Sequence, residues 1–411
     1  MSKKATILGI KRNVFFLSVV SLLNDASSDM IYPLIPLFLS SVLGATYTTI
    51  GIIEGVAEST AATLRVFSGS MSDRVRKRKI FTIIGYSFST VVKPILAIAT
   101  KPWHVLIVRF LDRTGKAIRS APRDALIADS IEMTERGKSF GFHKMMDTMG
   151  AALGPLVAFM LLRFFQGNFR PVFFLSFVAG AIAVCTLILF TSDAIQKIPS
   201  MDQGSSKSKI TLHHIKELLK GPFLWFLAAS ILFALGNSSD AFLLLRAQNL
   251  GVATALIPII YFIFNIVFAG FSYPLGKLSD KINRKILIMA GYFIFIAVYL
   301  GFANATAPWH AWALFGAYGL YYAFTEGVQK ALIADFVPET LRATAYGAFH
   351  TLTGIALLPA SIIAGSLWQR FGAQAPFLWG SFTAIGAILL FLPLISQKKS
   401  GSVPIIALFN N

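Results

Sequence analysis

Long apolar stretches recur along the whole chain and alternate with short polar segments. Val172–Phe190, Ile286–Phe302 and Phe377–Ile395 are clear examples. Each approaches the roughly 20 residues that an α-helix needs to cross a bilayer. The pattern predicts an all-α membrane protein with twelve transmembrane helices. We place them near residues 13–40, 47–70, 80–100, 103–125, 138–162, 171–192, 221–246, 254–276, 286–304, 309–331, 343–367 and 376–396.

A polar segment between two apolar stretches occurs twice, about 207 residues apart. Gly69-Ser-Met-Ser-Asp-Arg-Val-Arg-Lys-Arg-Lys79 and Gly276-Lys-Leu-Ser-Asp-Lys-Ile-Asn-Arg-Lys285 are the two copies, which we call the hinge segments. Other short motifs recur in the same order, at offsets of 206 to 211: Pro102-Trp-His with Pro308-Trp-His, Ala125-Leu-Ile-Ala-Asp with Ala331-Leu-Ile-Ala-Asp, and Ser27-Ser-Asp with Ser238-Ser-Asp. This internal repeat predicts two pseudo-symmetric six-helix bundles, residues 1–192 and 221–411, joined by a polar linker over 193–220.

Composition excludes a soluble domain, because 55% of the 411 residues are hydrophobic and only 14% are charged. The net charge of +18 follows the predicted topology. Basic residues cluster in the two tails, the hinge segments and the linker, whereas the alternate loops carry few. By the positive-inside rule, this places both termini in the cytoplasm and the protein in the inner membrane. It also argues against nucleic acid as a partner.

Other classes of function receive no support. Cys185 is the single cysteine, so no intrachain disulfide is expected. The first apolar segment is interrupted by Asn24, Asp25 and Asp29, which is unlike a cleaved signal peptide. No nucleophile elbow, metal-ligand cluster or phosphate loop points to an enzyme, a cofactor or a metal. The expected partners are a small solute, protons and lipid, and the expected state is a monomer.

The first hinge segment resembles the loop signature G-x-x-x-D-R-x-G-R-R of the major facilitator superfamily. Arg76 stands at the second glycine of that signature, and Asn283 stands there in the second copy. The resemblance covers essentially the whole chain and implies two six-helix bundles that rock around a central cavity. The runs Asn24–Pro33 and Arg109–Lys116 are similar to a bacterial branch whose substrates are mostly unassigned.

Charge inside the predicted helices is concentrated in the first half. Six charged positions of span four align with uncharged residues 206 positions later. In chain order, Arg109, Asp112, Arg113, Lys116, Arg119 and Arg123 correspond to Phe315, Tyr318, Gly319, Tyr322, Thr325 and Gln329. At about 100° per residue, the six fall within an arc of about 120°. Each such group costs about 2.5–3.5 kcal/mol on insertion scales, so it is expected to face a partner or a wet cavity.

This basic stripe predicts a site for an anionic group of a solute. The predicted substrate-binding residues are Arg109, Arg113, Lys116 and Arg119 from the first half, with Asp240, Tyr261, Asn265 and Tyr322 from the second. The alternative is a network of structural salt bridges between helices, which we favour for Arg123, Asp124 and Asp129 near the cytoplasmic end.

Proton coupling needs a group that can change its protonation state within the membrane. The candidates are Asp25, Asp29, Glu54, Glu58, Asp112, His143 and Asp147, and Asp25 leads slightly because Asp29 has a copy in Asp240. A fixed interhelical partner is the alternative for each acid. His143 and Asp147 are one helical turn apart, and one interpretation is that they pair. The alternative is that His143 is a core histidine with its own hydrogen-bond partners. Glu326 and Lys330 are expected to pair locally.

Two further expectations concern the ends of the helices. Lys93 lies in a predicted span on the outside of the bundle and is expected to extend to the outer headgroups. The family resemblance implies that the hinge acids lock the cytoplasmic side through neighbouring charges. The predicted gating residues are Asp73, Arg74, Arg76, Asp129, Asp280, Arg284 and Asp335.

These features predict a proton-coupled secondary transporter of a small, negatively charged organic solute. The direction stays open. Gly150-Ala-Ala-Leu-Gly-Pro155 resembles the start of an antiporter signature, G-x-x-x-G-P-x-x-G-G, which favours efflux. The basic stripe favours uptake by symport, for example of an organic anion or an anionic metal chelate. A non-transporting sensor of the same fold is a third alternative.

Overall fold

The computed structural model describes residues 6–75, 78–131, 136–193, 221–337 and 341–396. Seven α-helices precede residue 193: α1 Arg12–Ile31, α2 Ile35–Ser41, α3 Tyr47–Val75, α4 Arg78–Val92, α5 Pro102–Asp129, α6 Arg136–Phe164 and α7 Phe169–Phe190. Seven follow residue 221: α8 Pro222–Gly236, α9 Ala241–Asn249, α10 Ile257–Ser279, α11 Arg284–Asn304, α12 Pro308–Phe336, α13 Arg342–Phe371 and α14 Ala375–Ser396.

Fourteen α-helices within the described residues make twelve spans, which confirms the predicted fold class. The first span is α1 and α2, joined by the 3-10 turn Tyr32–Leu34, and the seventh is α8 and α9. Nine helical stretches of the described chain are long and apolar enough to cross a membrane by composition. The helices that fall short are α3, α5 and α12. Helix α5 carries the basic stripe, so its polarity marks a helix that faces the interior of the protein.

The all-helical prediction missed a small hairpin at the start of the described chain. Strands β1 Thr6–Ile7 and β2 Ile10–Lys11 pair antiparallel, with Thr6 opposite Lys11. Leu8 and Gly9 form the turn with φ of 52° and 72°, as the tight turns of two-residue hairpins require. The Lys138 ammonium donates to the Gly9 carbonyl at 2.9 Å and ties the hairpin to α6.

Within each half the helices pack against one another, and the two halves contact each other through two pairs of helices. Helix α1 packs on α6 and α3 on α5 in the first half, and α10 packs on α12 in the second. Between the halves, α3 lies against α13 and α6 against α10. The predicted boundaries at 192 and 221 stay predictions, and the linker 193–220 falls outside the described residues.

The halves are in close contact on the side away from the hinge segments. A Cβ on Gly51 would lie 2.2 Å from the Ser361 carbonyl oxygen, so only a glycine allows α3 and α13 this approach. Tyr47 stacks on Trp368 nearby, with ring centroids 4.7 Å apart. We call this the closed side and the other the hinge side.

The hinge side shows the internal repeat in atomic detail. Arg78 binds Asp129 and donates to the Ala125 carbonyl at 2.9 Å. Arg284 binds Asp335 at 2.7 Å and lies 3.4 Å from the Ala331 carbonyl. Arg284 lies 206 positions after Arg78, and Asp335 lies 206 positions after Asp129, so the same offset relates the two pairs.

The neighbouring lysines are equivalent as well. The Lys79 ammonium donates to the carbonyls of Ile188 at 3.0 Å and Thr191 at 2.6 Å, at the end of α7. The Lys285 ammonium donates to the Leu394 carbonyl at 2.5 Å, near the end of α14. Cations here satisfy carbonyl groups that the end of a helix leaves without a partner.

Candidate functional site

A central cavity with three connected lobes lies between the halves. The largest, of about 740 Å³, we call the charged lobe, because twelve ionisable side chains of α1, α5 and α6 line it. A middle lobe of about 240 Å³ shares Arg113 and Lys116 with it. An aromatic lobe of about 360 Å³ shares Glu58 with the middle lobe. The charged lobe extends towards the hinge side, where Phe140 and Lys144 line it.

Helix α5 holds two arginines against two acids of α3. Arg113 Nη2 lies 2.9 Å from Glu58 Oε1, and both side chains line the middle lobe. Arg109 Nη2 lies 2.5 Å from Glu54 Oε2. The Tyr32 ring lies 5.4 Å from the Arg109 guanidinium carbon and 5.8 Å from that of Arg113. The stripe therefore faces the cavity as predicted, but acids neutralise part of its charge.

In the Arg109–Glu54 pair, the arginine lines the cavity and the glutamate does not. Glu54 is 1% exposed and lines none of the three lobes. Its Oε2 also accepts a hydrogen bond of 3.4 Å from the Ser239 hydroxyl in the second half. Glu54 therefore joins the two halves near the closed side. This geometry makes it an interhelical partner first, and its predicted role in proton coupling is untested.

Lys116 differs from the other bases of α5. It lines the charged and middle lobes, and the described residues offer it no carboxylate within 4.0 Å. Arg119 is 3% exposed, lies 3.9 Å from Asp25 and places its guanidinium carbon 4.4 Å from the Tyr86 ring centroid. Lys116 is therefore the cation of this stripe with most capacity left for a solute anion.

The remaining candidate acids line the charged lobe in different states of pairing. Asp25 accepts a hydrogen bond of 3.1 Å from the Asn24 amide, and Asp112 accepts one from the Ser89 hydroxyl. Asp147 accepts a hydrogen bond of 2.5 Å from the Ser21 hydroxyl. Its carboxylate also lies 3.8 Å from each of two cations, Arg123 and Lys144.

Asp29 and Arg123 complete this set. Asp29 lines both the charged and the middle lobes and has no ion-pair partner among the described residues. Arg123 lies 2.9 Å from Asp124 of its own helix and 3.8 Å from Asp147 of α6, and only the second contact joins two helices as the sequence analysis favoured for this end of α5.

Two expectations about this lobe were wrong. His143 is 5% exposed, and in the described structure neither ring nitrogen has a hydrogen-bond partner, so it neither pairs with Asp147 nor is a satisfied core histidine. Lys93 is fully buried instead of reaching the headgroups. Its ammonium donates to the hydroxyls of Ser27 and Ser28, each at 2.9 Å, and it lines the charged lobe.

The internal repeat contained a signal for Lys93. At an offset of 206 it aligns with Tyr299, whose hydroxyl lies 3.4 Å from Asn237 Oδ1 inside the second half. The position therefore faces inward in both halves. In the first half, α4 ends at Val92 and the chain continues as a 3-10 turn through Pro94, which a helical projection does not anticipate.

The four candidates of the second half line the cavity. Asp240 lies at the break between α8 and α9 and accepts a hydrogen bond of 2.8 Å from the Tyr318 hydroxyl. Tyr261 faces Tyr32 across the halves, with ring centroids 5.5 Å apart, and Tyr322 lies beside them in the middle lobe. Asn265 lines the charged lobe and donates to its own helix at Tyr261 O, 3.0 Å away.

Residues that the sequence did not single out make up the aromatic lobe. Phe233, Tyr292, Tyr321 and Phe349 line it. No sequence signal distinguished them, because aromatic residues are frequent in membrane helices and usually pack against neighbours.

The predicted gating residues divide into two groups. Arg284 joins Asp335 at 2.7 Å and Asp280 at 3.2 Å, as expected. Asp129 binds Arg78, which the sequence did not single out. The side chains of Asp73, Arg74 and Arg76 lie outside the described residues.

One smaller prediction is confirmed. Glu326 and Lys330 pair at 3.1 Å as predicted. Within the described residues, no group of three or more His, Cys, Asp or Glu side chains is arranged to hold a metal.

Comparison with known proteins agrees with this architecture. The chain is 37% identical to an MFS-type transporter of Methanocaldococcus jannaschii, over 93% of this chain and 95% of that one. It is 25% identical to the multidrug resistance protein MdtG of Enterobacter lignolyticus, over 90% and 88%. The crystal structure of the nucleoside transporter NupG shares the fold, with TM-score 0.78 and 15% identity over 93% of this chain and 99% of that one. The family profile of the Major Facilitator Superfamily matches residues 17–360, and the chain belongs to that superfamily of transporters.

Proposed function

We propose that this protein is a proton-coupled secondary transporter of a small organic anion. The observation that carries the proposal is the Arg113–Glu58 pair at 2.9 Å, where the middle and aromatic lobes meet. Lys116 beside it has no acidic partner among the described residues. An anion that enters the middle lobe thus finds one cation without an acidic partner and one that it can take from Glu58.

Competition for Arg113 supplies a mechanism for coupling. When a solute anion replaces Glu58 at the Arg113 guanidinium, Glu58 keeps only the more distant cation Arg109, whose Nη2 lies 3.7 Å from Glu58 Oε1. Its carboxylate is then stabilised by taking up a proton. By linkage, protonation of Glu58 favours anion binding to the same extent. A site of this kind moves the proton and the anion together, which makes symport the first candidate.

Alternating access follows from where the halves touch. They are in backbone contact at Gly51 and Ser361 on the closed side, and the cavity extends towards the hinge side. We infer that the halves rock about the cavity, and that this structure corresponds to an inward-facing state with both termini in the cytoplasm. Arg284–Asp335 and Arg78–Asp129 would then act as gating contacts within each half. We further propose that the transporter works as a monomer in the inner membrane.

Efflux by proton antiport is the second candidate. It is favoured by the similarity to a relative named a multidrug resistance protein. The motif at Gly150 and Gly154 adds little, because both glycines have a packing role. A Cβ on Gly150 would lie 2.3 Å from the Leu22 carbonyl oxygen, and one on Gly154 would lie 2.7 Å from that of Ala26. They allow α6 to approach α1 closely.

The test is proton flux in proteoliposomes that contain a pH-sensitive dye. A panel of small carboxylates, sulfonates, phosphonates and anionic iron chelates is added outside, under imposed pH gradients of either sign. Under the symport proposal, at least one anion acidifies the lumen as it enters. Glu58→Gln should carry that anion without the proton. Anion entry without proton movement in the wild-type protein would contradict coupling, and a rise in luminal pH as an anion enters would favour the antiport alternative.

A further inference from the structure

The aromatic lobe is a feature that the transport of a simple anion does not require. Its aromatic residues come from four helices of the second half: Phe233 of α8, Tyr292 of α11, Tyr321 of α12 and Phe349 of α13. The first half contributes Glu58, Ala61 and Ala62 of α3 to the opposite wall, and Glu326, Lys330 and His350 of the second half also line the lobe. Small side chains on one wall and rings on the other leave a space of about 360 Å³.

The rings are held in position by their neighbours. Phe233 and Tyr292 stack with centroids 4.2 Å apart and planes 8° from parallel. Tyr321 lies 5.7 Å from Phe233 and 5.0 Å from Phe295. Rings that already pack against each other lose little freedom when a ligand binds, so the lobe is preorganised for a flat apolar group.

The lobe is also large enough for more than one ring. A dry cavity of about 150 Å³ lined by apolar side chains accommodates benzene. A lobe of about 360 Å³ therefore has room for a fused bicyclic ring. Polar groups at its margin, such as Asn237 and Gln329, can accept or donate hydrogen bonds to substituents on such a ring.

Glu58 connects this lobe to the cations. Its carboxylate lines both the aromatic and the middle lobes, and Arg113 binds it at 2.9 Å. A ligand whose acidic group takes the place of Glu58 at Arg113 starts at the entrance to the aromatic lobe. The rest of that ligand is then adjacent to the rings of the second half.

We propose that the substrate is an organic anion with a planar aromatic ring. Its acidic group binds Arg113 and Lys116, and its ring enters the aromatic lobe between Ala61 and the rings of Phe233, Tyr292 and Tyr321. This inference rests on the proposed transport of an organic anion and assigns its chemical class. The first half recognises charge and the second half recognises the ring, so binding requires both halves together.

The test compares matched ligands on the full-length protein in detergent. The probes are 2-naphthoate, its saturated analogue decahydronaphthalene-2-carboxylate, and the uncharged 2-naphthamide, with indole- and quinoline-carboxylates and their saturated analogues as further pairs. Dissociation constants are measured by calorimetry, with thermal shift as a second readout. Aromatic anions should bind about tenfold more tightly than their saturated analogues and than the neutral amide.

Two variants locate the ring. Thr353→Trp fills the aromatic lobe and should weaken binding of the aromatic anions at least tenfold, to the level of the saturated ones. Leu352→Trp is the matched control, because Leu352 is the preceding residue of α13 and is 39% exposed on the outer face. It should bind the probes as the wild-type protein does. If Thr353→Trp does not fold, Phe349→Leu removes a ring from the aromatic lobe without filling it and should also weaken binding of the aromatic anions. Phe302→Leu, which removes a ring outside the lobe, is its control.

The outcomes separate this inference from the proposed function. Equal affinity for aromatic and saturated anions, or full binding by Thr353→Trp, would overturn the aromatic assignment and leave anion transport intact. Binding of 2-naphthamide as tight as that of 2-naphthoate would overturn the anionic site itself. No stabilisation by any aromatic anion, in a protein that still moves a non-aromatic anion, would also overturn the aromatic assignment.

Discussion

The two halves are alike at the hinge side and unlike in the membrane interior. Arg78 and Arg284, 206 residues apart, each bind the aspartate at the end of the span-four or span-ten helix. In the interior, Arg113 on α5 has Gly319 as its counterpart on α12, where the small residue allows close contact with α10. The repeat preserves the ion pairs at the hinge side. It does not preserve the basic residues that we propose to bind the solute.

This difference has an energetic reason. A buried charge needs a partner, so a basic stripe in one half requires acids nearby, and α1, α3 and α6 supply them. The second half instead offers aromatic rings, which need no counter-charge and pack tightly. A site assembled from one charged and one aromatic half is asymmetric although its scaffold is symmetric. The following experiments test that asymmetry, from the largest expected effect to the smallest.

The first experiment is Arg113→Ala, which removes the central cation. Loss of one member of a buried charge pair costs about 2–5 kcal/mol, so transport of any anion substrate should fall by about 30-fold or more. Initial uptake rates in proteoliposomes measure it. Arg163→Ala, at an exposed position of α6, is the control and should transport normally. Full transport by Arg113→Ala would break the assignment of recognition to the first half.

The second experiment separates a structural pair from the site. Arg109→Ala leaves Glu54, which is 1% exposed, without its counter-charge. Stability should fall by about 3–5 kcal/mol. The double variant Arg109→Ala with Glu54→Ala should recover most of that loss, because it leaves no unpaired charge. Unfolding of the four proteins in a double-mutant cycle gives the coupling energy. A double variant as unstable as Arg109→Ala would show that the loss of stability does not come from leaving the Glu54 charge unpaired.

The third experiment compares equivalent inward positions of the two halves. Lys93→Met removes a buried cation beside the charged lobe while nearly keeping its volume, and should weaken anion binding about tenfold without loss of stability. Tyr299→Phe removes only a hydroxyl at 3.4 Å from Asn237 and should cost about 0.5–1.5 kcal/mol of stability, with anion affinity unchanged. Calorimetry with 2-naphthoate and thermal unfolding distinguish the two. Equal effects on affinity would contradict the division of roles.

The fourth experiment examines the shared hinge side. Arg284→Ala and Arg78→Ala each break a partly exposed ion pair, with about a fifth to a quarter of each arginine side chain exposed. Each should cost about 0.2–1 kcal/mol, and the two losses should be similar. Melting temperatures of both variants, measured in one detergent, provide the comparison. A loss several times greater in one half would show that the repeat is not equivalent at the hinge.

Several features of the site followed from residues alone, and others did not. The α5 stripe faces the cavity because residues spaced three or four apart share one face of a helix. Lys93 escaped this reasoning because its helix ends at Val92 and the 3-10 turn after it changes the direction of the side chain. His143 did too, since proximity along a helix does not ensure that a ring nitrogen points at Asp147.

Arg78 shows a signal that was present and not used. The sequence pointed to Arg74 and Arg76 as partners of Asp129, by resemblance to a loop signature. The offset of 206 that relates Asp129 to Asp335 also relates Arg78 to Arg284. Applying the repeat to the arginine would have found the pair that the structure contains.

The sequence alone determined the twelve-helix fold, the two related halves and the helix that carries the charge. These follow from periodicity, from the cost of polar groups in a bilayer and from a repeat with a constant offset. Only the tertiary structure decided which acid holds which arginine, that Lys116 has no acidic partner among the described residues, and that rings from four helices form one lobe. Those contacts join residues far apart along the chain, and their distances depend on how helices tilt, break and pack.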